Sequence, residues 1–197
     1  ILNSKITKKE MELLKAQIKS VQDEDLRRYL LSRLNAPAYK ARMTRLEALK
    51  ENVYINLKKV SEVENKLSES AYIDTINNAY YRTTYDIQKG VGMGFDVSNM
   101  SIDNIEKILT EKWSGKNYSQ RIWGNTDVLA GKLEEVITQG FLTGKSLNKI
   151  SKEIQELSDV GKFAAERLIR TETTYIANAA EIESYKECGI DKYVFLA

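Results

Sequence analysis

The chain has 197 residues, 42% apolar and 29% charged, with a net charge of +2, one cysteine and no histidine. That composition is ordinary for a globular protein and unlike that of a disordered one. A single cysteine excludes an internal disulfide framework, and the lack of histidine removes the commonest metal ligand and general base, so triads, zinc sites and histidine switches are excluded within these residues.

One proline and ten glycines allow long helices to run uninterrupted and leave few turn signals for short strands, so the fold class expected is mainly α. No apolar run approaches the ~18–20 residues that cross a bilayer, and no leader-like segment is visible, so no membrane partner is expected. The first residue is Ile1 rather than methionine, which suggests a processed or trimmed product. Charge is uneven: residues 1–60 carry +7 and the remainder −5. Lys40, Arg42 and Arg45, in the densest basic stretch, are candidate sequence-independent contacts to double-stranded DNA. A solvated helix face is the plainer alternative.

Thr7-Lys-Lys-Glu10 spells a capping box, so a helix is expected to start there. Met11, Leu14, Ile18 and Val21 recur at helical steps, and the pattern resumes at Leu26, Leu30 and Leu34 before Pro37 separates two helices. In the second, Leu46, Leu49, Val53, Leu57, Val60, Val63 and Leu67 average 3.5 residues apart, the spacing of a packed seam. An antiparallel hairpin within one domain is the expected use of this seam, ahead of an intermolecular zipper. A third helix carries Tyr72, Ile76, Tyr80, Thr83 and Ile87, and its cluster of tyrosines leaves self-association open.

Gly90-Val-Gly-Met-Gly-Phe95 lacks the glycine spacing and the strand-to-helix context of a dinucleotide loop, so it is taken to end a helix. Ser101 is expected to cap a short helix, Ser119 a helix through Ile137, and Ser146 a helix through Leu157. A last helix is expected from about Lys162 to Glu187, closed by Gly189, with Tyr193-Val-Phe-Leu196 strand-like beyond it.

The stretch Ala165-Glu-Arg-Leu-Ile-Arg-Thr-Glu-Thr-Thr-Tyr175 puts charges into an apolar helix. With Ala164, Leu168, Ile169, Ile176 and Ala179 on the buried side, Glu166 and Arg170 are spaced for an ion pair. Arg170 is expected to be a buried pin bridging to the segment that contains Trp113 and Trp123. Glu172 needs a donor of its own, with Arg121 and a tryptophan indole as candidates. No nucleophile with an activating base lies nearby in the sequence, so a structural role is expected over a catalytic one.

Trp113-Ser-Gly-Lys with Tyr118-Ser-Gln-Arg-Ile-Trp123, then Gly140 with Gly144-Lys-Ser146, then Arg167-Leu-Ile-Arg-Thr-Glu172 followed by Asn178 and Tyr185 resemble the signature of the phage head morphogenesis family, the minor head proteins of tailed bacteriophages. The resemblance covers residues 95–197, and Arg170-Thr171-Glu172 is its most diagnostic piece. It implies a non-enzymatic minor capsid protein of the virion, inside the phage head and in the bacterial host cytoplasm during assembly. Such a protein associates with the portal and capsid proteins and acts in head morphogenesis and DNA packaging or delivery. Trp113, Arg121, Trp123, Glu166, Arg167, Arg170, Thr171 and Glu172 form the structural signature, with no catalytic residue, cofactor or metal.

The architecture expected is an elongated multi-helix assembly. Residues 1–95 form a basic helical hairpin region, 96–189 a helical signature domain, and 190–197 the first strand of a small module whose cysteines and histidine these residues lack. Two alternatives carry other functions. One is a helix-turn-helix regulator formed by Ser146–Leu157 and the helix from Lys162. The other is part of an ADP-ribosyltransferase fusion, for which Glu181-Ile-Glu183 has the E-x-E form in a helical rather than β-rich setting.

Overall fold

A computed structural model describes residues 4–36, 43–94, 99–190 and 192. Among these residues the protein is mainly α, with six helices: α1 (Lys8–Lys19), α2 (Glu24–Asn35), α3 (Arg45–Val91), α4 (Ile102–Thr110), α5 (Tyr118–Leu142) and α6 (Leu147–Glu187). Pro37, Lys40 and Arg42 lie outside the described residues, as does the strand expected from Tyr193.

Two compact units interleave along the chain. One comprises residues 1–65 and 122–164, the other 66–121 and 165–197. They cut across the consecutive regions 1–95, 96–189 and 190–197, because α3, α5 and α6 each contribute residues to both units.

In the first unit, Thr7 and Glu10 form the expected reciprocal cap of α1. Met11, Leu14, Ile18, Val21, Leu30 and Leu34 then build a core with Met43 and Ile55. The short connection after α1 is held from α3, where the Glu62 carboxylate accepts from the amides of Gln22 and Asp23 at 3.1 and 2.7 Å. Ser4 and Ile6 pair with the segment just before α3: the Ile6 amide donates to the Met43 carbonyl and the Arg45 amide to the Ser4 carbonyl. Isolated helices of α1's length are marginal in water, so this shared core is what keeps α1 and α2 folded.

The helices differ from expectation in three ways. Residues 46–67 and 72–87 belong to one 47-residue helix, and the segments before and after residue 160 belong to one 41-residue helix. No proline interrupts either, and a lone glycine, Gly161, costs a helix only about 1 kcal/mol. Gly161 also admits Leu129, whose Cδ2 would lie 3.2 Å from a Cβ placed there. The cap of α5 is Asn117 rather than Ser119, through reciprocal bonds between Asn117 and Gln120.

The third difference concerns the seam. Val60, Val63 and Leu67 are 62%, 58% and 65% exposed and Leu49 is 38% exposed, whereas Glu51, Ile55, Lys58, Ser61, Ser68, Tyr72 and Ile76 are buried. The first part of α3 therefore turns its more polar stripe inward. Three hydrophilic side chains on it have partners within the same unit: Arg33 lies 2.6 Å from Glu51, Lys58 Nζ lies 2.6 Å from Asp127, and the Ser61 hydroxyl bonds that of Thr126.

Gly140 marks a close approach of helices. A Cβ placed there would meet Ile150 Cγ1 at 2.6 Å and Cδ1 at 2.7 Å, and Ile150 is 4% exposed. Replacing Gly140 by alanine should destabilise the protein by about 1–3 kcal/mol in urea unfolding, the usual cost of overpacking. Adding Ile150→Val should recover part of that loss, and a fully stable Gly140→Ala single variant would contradict the close packing.

Candidate functional site

The site lies in the second unit and is built around a carboxylate in a helix core. Along the part of α6 that belongs to the second unit the buried positions are Glu172, Ile176, Ala180 and Ser184, a stripe at steps of four. Glu172 thus occupies a position that an apolar residue would normally fill, and it is 2% exposed. A buried carboxylate needs donors or a cation. Trp113, from the connection between α4 and α5, donates its indole N–H to Glu172 Oε2 at 3.1 Å. Arg121, in the first turn of α5, places Nε 3.0 Å from Glu172 Oε1.

The arginine contact is one of charge rather than a directed hydrogen bond. Arg121 Nε and Nη2 donate to the carbonyls of Lys116 and Ser114 at 3.3 and 3.1 Å, which leaves Glu172 Oε1 without a hydrogen-bond partner in the structure. The guanidinium also lies over the Trp113 ring, 5.4 Å from its centroid. Trp113 also stacks on Tyr175, with centroids 4.7 Å apart and planes 12° from parallel. Arg121 therefore ties the turn before α5 to α6 through one carboxylate and two carbonyls, the multidentate use that suits a guanidinium.

Glu172 is accordingly the buried pin, and Arg170 is not. Glu166, Arg167, Arg170 and Thr171 are exposed, and no described ion pair joins Glu166 to Arg170. The Thr171 and Thr174 hydroxyls donate to the carbonyls of Arg167 and Arg170 one turn back. The expectation failed because Ile169, 45% exposed, was placed on the buried face in preference to a glutamate, which rotated the assumed stripe. Both partners foreseen for Glu172 are present, Arg121 as a neighbouring charge and the Trp113 indole as a donor. Trp123 belongs to the first unit, where Lys58 Nζ sits 5.0 Å from its ring and 5.3 Å from that of Tyr54. Tyr175 was missed, although its position three residues after Glu172 puts it on the same helix face.

Further along α6, Tyr80 donates to Glu187, Thr84 and Ser184 share a hydrogen bond of 2.8 Å, and Asn104 Nδ2 lies 3.4 Å from Glu183 Oε1. A groove of about 320 Å³ runs between α4 and α6, lined by Ile108, Tyr175, Asn178, Ile182, Glu183 and others. Glu181 and Glu183 both sit on the uninterrupted α6. Burial, followed by the charges of Glu111 and Glu172, pushes the Tyr175 hydroxyl above the ordinary phenol range. Burial, with the Glu69 charge, pushes Tyr118 up to about 12; its ring packs edge-on against Tyr72 at 5.1 Å.

Of the candidate DNA contacts, only Arg45 is described. Its Nε lies 3.1 Å from Glu10 Oε1, so part of its charge is already matched. Among the described residues no group of His, Cys, Asp and Glu is placed to hold a metal ion, and no helix is long and apolar enough to cross a membrane. The single helix across residues 157–162 also removes the turn that a helix-turn-helix would need there.

No family model matches the chain, and no solved structure matches it significantly. Among curated proteins, a 115-residue stretch is 27% identical to the NAD(+)–arginine ADP-ribosyltransferase EFV of Enterococcus faecalis (strain ATCC 700802 / V583). The match takes in 57% of this chain and 24% of that protein, so the chain spans about a quarter of its relative's length.

Two measurements test the site. Glu172→Ala should cost about 2–4 kcal/mol in chemical unfolding, since it strands the Trp113 donor and the Arg121 charge. Arg170→Ala, at an exposed position, should stay within about 0.5 kcal/mol of the parent; the reverse ranking would restore Arg170 as the pin. The raised Tyr118 pKa means that the folded state favours the neutral phenol. Its contribution is intact below the unfolded value near 10 and is lost as pH rises towards about 12. Tyr118→Phe should reduce the fall in unfolding free energy across that interval by about 1–2 kcal/mol, and an unchanged slope would remove Tyr118 as its source.

Proposed function

We propose that the chain is a non-enzymatic structural component of a phage head, a minor head protein that associates with portal and capsid proteins during assembly and in the virion. The observation that carries this is the state of Glu172. The acidic residue of the Arg-Thr-Glu signature is buried and committed to Arg121 and Trp113, which suits a fixed joint between chain segments and not a carboxylate that meets a substrate. Arg167, Arg170 and Thr171 are left on the outer face of the same helix, where they suit contact with an acidic partner surface. DNA contact through Lys40 and Arg42 is a secondary element of the proposal, since Arg45 is already paired to Glu10.

A second function is favoured by one observation, the similarity to an arginine ADP-ribosyltransferase. The chain would then be a helical portion of a longer transferase. Its Glu181 and Glu183 are on a helix, and Glu183 is bonded to Asn104 and Lys186, so on this view the transfer chemistry would belong to another part of such a protein.

The test is particle assembly with the gene complemented in trans. Particles should contain the protein, and Arg167→Ala/Arg170→Ala should remain folded yet reduce its incorporation by about tenfold, the effect of about 1.4 kcal/mol of lost contact. Absence of the protein from purified heads would overturn the proposal. So would transfer of label from NAD to an arginine substrate by the purified chain, which would favour the transferase.

A further inference from the structure

Among the described residues, the first unit leaves much of one apolar helix face uncovered. In α3, Leu46, Leu49, Val53, Val60 and Val63 follow heptad positions a, d, a, a and d, with Asn56 at the intervening d, and Leu67 continues the spacing along the helix. The buried residues of the same stretch, Glu51, Ile55, Lys58 and Ser61, fall at f, c, f and b, which is the opposite side. The unit's own packing therefore uses the back of the helix and leaves Leu49, Val60 and Val63 outward, with Leu46 and Val53 half-buried. Leu13 of α1, 59% exposed, adds to this surface beside a groove of about 310 Å³ that it lines with Leu49 and Ala48.

The residues flanking the seam identify the occupant. Valine at a, as at Val53 and Val60, with leucine at d suits two parallel strands; of the d positions here, Leu49 is leucine, Val63 is valine, and Asn56 is bonded to Asn52 of its own helix. Lys59 stands at g and Glu64 at the following e, on opposite edges of the seam, and neither has a described ion-pair partner. Burial holds the Glu64 carboxyl above its ordinary range, so a neighbouring cation would relieve it. In a parallel pair of identical helices, Lys59 of each copy faces Glu64 of the other, giving two complementary contacts. An antiparallel pair would set like charges together.

We propose that the outer face of α3 from Leu49 to Glu64 is a self-association surface, on which the same helix of a second copy of this chain lies in parallel register. With only two to three heptads, the pair should be weak, with a Kd on the order of micromolar. Sedimentation of the intact chain between about 1 µM and about 1 mM should show a reversible monomer–dimer equilibrium. Val60→Lys should leave helicity and melting unchanged and weaken the dimer at least about tenfold. Lys59→Glu and Glu64→Lys, each alone, should weaken it by about threefold to tenfold, and an equimolar mixture of the two should recover the parent affinity to within about threefold.

The charge-swap arm changes flanking residues only, so it decides the matter even if Val60→Lys disturbs the fold. A chain that stays monomeric throughout, a dimer indifferent to Val60→Lys, or a mixture no tighter than either single variant would overturn the proposal.

Discussion

The placement of Glu172 inside α6 organises the second unit. A carboxylate that is 2% exposed costs several kcal/mol unless charge and hydrogen bonds compensate it, and α6 supplies none from its own backbone, whose groups are already bonded within the helix. The compensation comes from the segment between α4 and α5. Trp113 and Arg121 must both be present, and with them come the carbonyls of Ser114 and Lys116 and the stacked ring of Tyr175. A connection that would otherwise be an unconstrained turn, marked by Gly115 at φ 81°, is thereby fixed to the helix.

Such an arrangement has no great advantage in stability over a well-packed apolar contact, and its value lies in selecting one packing among several. Helices with apolar faces attract each other without specifying which turn opposes which, and a missing partner for Glu172 penalises every misaligned alternative. Glu172 Oε1 still lacks a directed hydrogen bond, so the joint is satisfied chiefly by one indole and by the nearby guanidinium charge. That makes it sensitive to the loss of either.

How much of this could be read from the sequence depended on whether the signal was local. The Thr7–Glu10 cap, the Ser101 cap and the helix ends at Gly92 and Gly189 follow from short-range chemistry, and the structure bears them out. The two candidate donors of Glu172 were legible because a mid-helix carboxylate needs one and few were on offer. The burial of Glu172 itself was hidden, since hydrophobic periodicity assigns faces by apolar residues and here the core stripe includes a glutamate and a serine, Ser184. The same limit misassigned α3, where the more regular apolar seam is outside and Glu51, Lys58 and Ser61 are inside. The continuity of α3 and α6 was missed for a different reason: a serine-rich or glycine-bearing stretch weakens a helix only slightly, and packing on both sides carries the helix through it.

Small hydroxyls supply the corresponding device elsewhere in each unit. Ser61 meets Thr126 in one, and Thr84 meets Ser184 in the other. Each pair puts short side chains where two helices approach; a shift by one turn would break the bond between them, while Ser61, Thr126 and Thr84 would keep their bonds to carbonyls one turn back on their own helices, so each pair favours one register by about 0.5–1.5 kcal/mol. Helices of 41 and 47 residues present many near-equivalent alignments, and apolar contacts alone discriminate poorly among them. Polar pairs at intervals, with Lys58–Asp127 and Arg121–Glu172 as the charged versions, turn a continuous choice of register into a discrete one. The composition of the inner stripes follows from that requirement: they are more polar than a core needs for burial, and Glu51, Lys58, Ser61, Glu172 and Ser184 each meet a partner on a neighbouring segment.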